Sequence, residues 1–286
     1  MMKLAFSTNA FKRYSLEDSI REIAKVGYSG VEIMCDVPHA YAPTFTDDQV
    51  RSLKKTLASS NMQISNLNAF TLYAIGDTYH PSWIEDSREI RIEHTIECIK
   101  LAKKIEAKHL STEPGGPVQP LPPASFSPSP QQQHQDISQL EKIFLDGVTR
   151  VAKMAEEEDV KVLIEPEPGL LIENSRQFKN FMAKIINSKY IRLNFDIGHF
   201  YCVNEDPAKV VYELSDYIEH FHLADIAHTR IHNHLIPGKA SIDFRSVFDA
   251  MDDIGYRGFV TVELYPYQDN PIYAAKEAYS YLCSIM

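Results

Sequence analysis

Short apolar runs alternate along the whole chain with longer stretches in which apolar residues recur every three or four places. KLAFSTN (3–9) predicts a first strand. SLEDSIREIAKVG follows as an amphipathic helix, with Ser15 and Asp18 at its N-cap and first turn. GVEIMCD (30–36), a helix from Thr46, ISNLNAF (64–70) and a long helix over about 87–107 continue the alternation. HLSTEPGG (109–116), a helix over about 137–158, VKVLIEPEPG (160–169) and NSRQFKNFMAKI extend it. IRLNFDIGH (191–199), DPAKVVYELSDYI, EHFHLADI (219–226), DFRSVFDAMDDIGY, GFVTVELYP (258–266) and NPIYAAKEAYSYL complete it.

Eight strand–helix units without an intervening linker predict one α/β domain over 1–286, a (β/α)8 TIM barrel. The rival is a doubly wound sheet. That fold advertises a glycine-rich first turn, and the segment here, NAFKRYSL, has no glycine. A proline-rich insertion at about 114–136 interrupts the pattern, with seven prolines between Pro114 and Pro130. It is expected to be either a surface insertion or a binding loop at the C-terminal face of the barrel.

Composition narrows the function. A hydrophobic fraction of 44% with 24% charged residues suffices for a large core. No apolar run approaches the roughly 18–20 residues of a membrane span, and MMKLAFSTNAF lacks the features of a signal peptide. The four cysteines form no CxxC pair, so cytoplasmic residence is expected. A net charge of −10 weighs against a nucleic-acid partner.

In such a barrel, reacting groups sit at the C-terminal ends of the strands. Those ends carry Glu32, Asn66, Asn68 and Glu113 in the first half of the chain. Glu165, Glu167, Asp196, His199, His222, Asp225 and Glu263 follow in the second. An acidic residue closing a buried apolar strand, as in VLIE, LNFD and VTVE, is costly unless paired or bound to a cation. Each residue alone has a plainer reading. Glu32 suits a strand-end ion pair, His222 a core imidazole, and Glu113 and Glu167 either pocket lining or solvent exposure.

VLIEPEPG, NFDIGH, HFHLADI…PG and VTVELY, in that order, resemble the xylose isomerase-like TIM barrels. These include sugar-phosphate isomerases and epimerases, the tagatose/psicose 3-epimerases, and the AP endonuclease family 2 superfamily. The resemblance implies metal ligands at Glu165, Asp196, His222 and Glu263, and a substrate-oxygen contact from His199. Such a site suits Mn2+ or Mg2+ and tolerates Co2+ or Zn2+. It implies proton transfer on a carbohydrate or polyol ketone through a cis-enediolate stabilised by the ion, with Glu165 and Glu263 as acid and base. Asn68, Glu113, Glu167, His228, Arg230, His232 and His234 are the further candidates for substrate contact. The tagatose branch has an arginine six residues beyond the strand-seven histidine; here that position is His228, and the nearest arginine is Arg230.

Isomerase or epimerase is the leading expectation. A lyase or dehydratase acting on inosose- or dehydroshikimate-type ketones begins with the same proton abstraction and stays open. An endonuclease IV-like nuclease would need histidines at earlier strand ends, where Asn66, Asn68 and Glu113 stand. A sugar sensor or scaffold that retains the site residues is the non-enzymatic alternative. The expected partner is a small carbohydrate or polyol ketone, without nucleic acid or membrane, in a monomer or homodimer.

Overall fold

In the computed structural model, which describes residues 2–118, 136–185 and 189–286, eight parallel strands close into a barrel in chain order. The strands are β1 (Lys3–Ser7), β2 (Gly30–Met34), β3 (Gln63–Asn68) and β4 (His109–Thr112), then β5 (Lys161–Ile164), β6 (Ile191–Asp196), β7 (Ile218–Leu223) and β8 (Phe259–Val262). The expected TIM barrel is the fold. Most of the proline-rich insertion, residues 119–135, lies outside the described residues.

The helices are α1 (Leu16–Val26), α2 (Asp47–Ser59), α3 (Arg88–Ile105), α4 (Ile137–Glu158) and α5 (Ser175–Met182), then α6 (Ile197–Cys202), α7 (Pro207–Leu214), α8 (Phe244–Asp253) and α9 (Pro271–Ile285). Their starts are chemically marked. The Ser15 side chain accepts from Asp18 N at the head of α1, and Thr46 with Gln49 forms a reciprocal capping box on α2. A cap of this kind contributes about 1 kcal/mol. Leu16, Ile20 and Ile23 of α1 are buried, which fits a helix laying one apolar stripe on the barrel wall.

Strand alternation explains the unusual interior. Leu193 and Phe195 of β6, Phe221 and Leu223 of β7, and Val260 and Val262 of β8 belong to the hydrophobic core. The residues between them, Asn194, Asp196, His220, His222 and Thr261, therefore point to the opposite face, inside the barrel. All five are buried. Polar groups in such a place must pair, and across the interior Ser65 Oγ bonds Thr261 Oγ1 at 3.0 Å.

Several strands end earlier than their apolar runs suggest. IRLNFDIGH stops pairing at Asp196, because its carboxylate accepts from Gly198 N (2.7 Å) and His199 N (3.0 Å) and starts α6. After β4 the chain passes through Gly115 and Gly116, both at φ +114°. A Cβ there would lie 2.7 Å from Leu171 and 2.5 Å from Ser82, so only glycine fits this close approach.

Candidate functional site

Four side chains from successive strand ends meet over the C-terminal mouth of the barrel. Potential ligand atoms of Glu165, Asp196, His222 and Glu263 all lie within 4.8 Å of one another, and all four residues are buried. His222 Nδ1 is their common neighbour, 2.8 Å from Glu165 Oε1, 3.6 Å from Glu263 Oε2 and 3.9 Å from Asp196 Oδ2. Asp196 commits Oδ1 to the start of α6, and its buried Oδ2 has no hydrogen-bond partner among the described residues. Glu263 Oε1 accepts from Asn9 Nδ2 (2.8 Å) and Asn68 Nδ2 (3.0 Å), leaving Oε2 toward the centre.

Electrostatics describe a site short of positive charge. Burial raises the Glu165 carboxyl against the pull of His222, and Asp196 and Glu32 raise it further. Glu263 is raised well above the usual range, by burial first and by Glu165, Glu32 and Asp196 after it. Burial alone would lower His222, but Glu165, Glu32 and Glu263 lift it well above the ordinary imidazole value. Three crowded carboxylates, one unpartnered oxygen and an imidazole form a hard, oxygen-rich donor set that fits a divalent cation. This cluster can hold a metal ion; its sequence does not select which one.

A second group borders the first. His199 Nδ1 is 2.8 Å from the Pro166 carbonyl and His234 Nδ1 is 2.9 Å from the Glu263 carbonyl, so each donates there. Their Nε2 atoms then carry lone pairs and face each other at 3.4 Å, with His232 Nε2 3.2 Å from His234 Nε2. Burial, then mutual repulsion, lowers His199 and His232 well below the usual value; burial also lowers His234. Glu167 accepts from Tyr79 Oη at 2.8 Å and lies 3.5 Å from His232 Nδ1. These groups, with Asn9, Asn68, Lys12 and the rings of Phe70, Tyr73, Tyr79 and Tyr265, line a cavity of about 130 Å3 that opens to solvent.

Of the residues singled out in the sequence, Asn68, Glu165, Glu167, His199, His232, His234 and Glu263 line this cavity. Asp196 and His222 sit at its base. Glu113, His228 and Arg230 are not among its walls. Glu113 is fully buried beside Arg91, with Arg91 Nε 3.5 Å from its Oε1. His228 is exposed, and the Arg230 guanidinium lies 4.0 Å over the Tyr201 ring.

For His228 and Arg230, the reason is Asp225. Its carboxylate accepts from the backbone N–H groups of Ile226 (2.9 Å), Gly238 (3.0 Å), Ala240 (2.8 Å), Ser241 (3.0 Å) and Ile242 (3.0 Å). Asp225 also pairs with Leu235 as an isolated antiparallel bridge. The chain between them swings outward through His228 and Arg230 and returns with His232 and His234 over the site. Asp225→Asn would put an amide donor against N–H donors and is expected to cost about 2 kcal/mol in denaturant unfolding. An unchanged midpoint would show that the carboxylate does not hold the loop.

Lys12 was a candidate only as a cation in the substrate loops, and Asn9, Tyr73, Tyr79 and Tyr265 were not legible as site residues. Asn9 follows the first strand in STN and could have been found by extending the strand-end rule to it. Tyr79 sits in a loop whose path no local pattern sets.

A parallel eightfold barrel with a carboxylate–imidazole donor set at its C-terminal mouth defines the class. Within it, the chain matches the xylose isomerase-like TIM barrels over residues 20–285 and belongs to that family. It is 22% identical to an inosose dehydratase of Clostridium beijerinckii, over 95% of this chain and 90% of that protein. Among solved structures it resembles a D-tagatose 3-epimerase-like protein, with TM-score 0.80, 21% identity and coverage of 99% and 97%. It also resembles the IolI protein with a bound zinc atom, with TM-score 0.77, 18% identity and coverage of 99% and 98%. No helix among the described residues is long and apolar enough to cross a membrane.

Proposed function

We propose that this chain is a divalent-metal-dependent lyase that removes water from a cyclic polyol ketone of the inosose type. The observation that carries it is the four-residue donor set at the base of a cavity walled by imidazoles, carboxylates and tyrosines. The inosose dehydratases, matched over nearly the full length, support elimination above the isomerase or epimerase expectation.

Glu165, Asp196, His222 and Glu263 would hold the ion, which when bound supplies Lewis-acid polarisation of a ketone oxygen. Glu165 is the base we assign. Its side chain hydrogen-bonds only to His222 among the described residues, whereas Glu263 is tied by Asn9 and Asn68. Glu165 takes the proton from the carbon next to the ketone. The electron pair of that C–H bond forms the new C–C double bond as the C–O bond of the neighbouring hydroxyl breaks. Glu165 passes the proton it has taken to the departing oxygen, which leaves as water and returns Glu165 to its carboxylate. Glu167 with Tyr79, and the histidines around His199, line the cavity as hydrogen-bonding groups for the hydroxyls of the ring. Aromatic walls suit the apolar C–H faces of a cyclitol.

Incubation with an inosose and added Mn2+ or Co2+ is expected to give a product lighter by one water, and chelation to stop the reaction. Deuterium uptake from D2O with no loss of water would instead establish the isomerase or epimerase reaction.

A further inference from the structure

Glu32 rises from β2 beneath the donor set and is completely buried. Its Oε2 lies 2.6 Å from His222 Nε2 and 2.8 Å from Asn66 Nδ2, and its Oε1 lies 3.3 Å from Asn68 Nδ2. Asn68 Nδ2 also reaches Glu263 Oε1 at 3.0 Å, so one amide ties the buried carboxylate to the centre above. Asn66 is held in turn by Ser111 Oγ (3.0 Å) and His109 Nδ1 (2.9 Å). No Lys or Arg among the described residues pairs with Glu32. His220 Nε2 is 3.8 Å away, beyond hydrogen-bond reach.

The His222 imidazole is therefore clasped between two acidic surroundings. Glu32 faces Nε2, while Glu165, Asp196 and Glu263 face Nδ1. A neutral imidazole carries one N–H, and the nitrogen opposite it is the one that can ligate. A fully buried carboxylate needs a donor. His222 Nε2 is the shortest contact Glu32 has.

We propose that Glu32 is the positioning residue of the metal centre: by accepting the Nε2–H of His222, it holds the tautomer and ring orientation that present the Nδ1 lone pair to the cation. This rests on the metal reading of the donor set given above. The arrangement is a carboxylate–histidine–metal series, in which the outer carboxylate makes the imidazole a better ligand. Glu32 is not among the residues that line the cavity, so it acts through His222 and, more weakly, through the Asn68 amide it shares with Glu263.

The test is Mn2+ affinity, measured by chelator competition on the wild type and Glu32→Gln, with far-UV circular dichroism as the control of folding. Glutamine keeps the size and loses the charge, and Mn2+ binding is expected to weaken roughly 10–100-fold. Equal affinities would overturn the role of Glu32 while leaving the donor set standing. A wild type that binds no Mn2+ would overturn the donor set and this inference together. Nitrogen-15 spectra of the Zn2+-loaded wild type answer independently of whether the variant folds. A protonated Nε2 and a ligated Nδ1 on His222 are expected, and the opposite tautomer overturns the inference.

Discussion

Glu165→Gln is expected to lower turnover by roughly 10²–10⁴-fold, the span that loss of a positioned acid–base group produces. Glutamine is close in size and can still bond His222 at the 2.8 Å position that Glu165 Oε1 occupies. It cannot accept a proton from carbon, and it removes one of three negative charges from the donor set. Two consequences can be separated. Loss of bound metal reports the ligand role, while activity lost at saturating Mn2+ reports the base. Glu263→Gln is the informative partner, because Asn9 and Asn68 would have to exchange a charged acceptor for an amide. Its larger expected effect is therefore on metal content. If both variants retain wild-type metal content and turnover of an inosose, neither glutamate has the role assigned to it.

The barrel was legible because its signals are local. Period-two and period-3.6 patterns alternate with caps such as Ser15 and Thr46, and each element can be recognised within its own ten or twenty residues. Convergence of Glu165, Asp196, His222 and Glu263 was readable for a similar reason. Each is an acidic or imidazole group closing a strand, and the fold brings successive strand ends together. Roles that depend on distant partners were not readable. Glu32 looks like any strand-end carboxylate until His222, 190 positions away, is placed against it. Glu113 has the same sequence signature as Glu165, yet Arg91 from α3 holds it away from the cavity. His228 and His232 sit four residues apart in one loop. The clasp of Asp225 on Gly238 to Ile242, with its bridge to Leu235, sets which of them turns in.

Arg91→Met is expected to cost about 3–5 kcal/mol of stability, because it leaves several buried loop carbonyls without their charged donor. Arg91 is fully buried, and its guanidinium donates to the carbonyls of Phe70 (2.7 Å), Pro81 (3.0 Å), Thr78 (3.2 Å) and Ala69 (3.4 Å). Those carbonyls define the loop from β3 to α3, which brings Phe70, Thr71, Tyr73, Thr78 and Tyr79 to the cavity. Asp36 holds the tip of the same loop, accepting from Ala74 N at 3.0 Å and from Tyr73 N. Loss of Arg91 should therefore raise KM as well as lower the denaturation midpoint, while Mn2+ content stays near the wild-type value. Glu113 adds a pH dependence of known sign. Burial pushes its carboxyl from 4.5 up to about 8, although Arg91 pulls the other way. A group raised on folding contributes its stability below its unfolded value and loses that contribution as pH rises through the folded one. Wild-type stability should thus fall between pH 4.5 and about 8 relative to Glu113→Gln, which has no proton to lose there. At pH above about 8, where Glu113 loses its proton, combining Arg91→Met with Glu113→Gln removes both charges and should recover part of the single-variant loss. Additive losses in the double variant would mean that Arg91 acts on the loop carbonyls alone, and that its pairing with Glu113 contributes nothing.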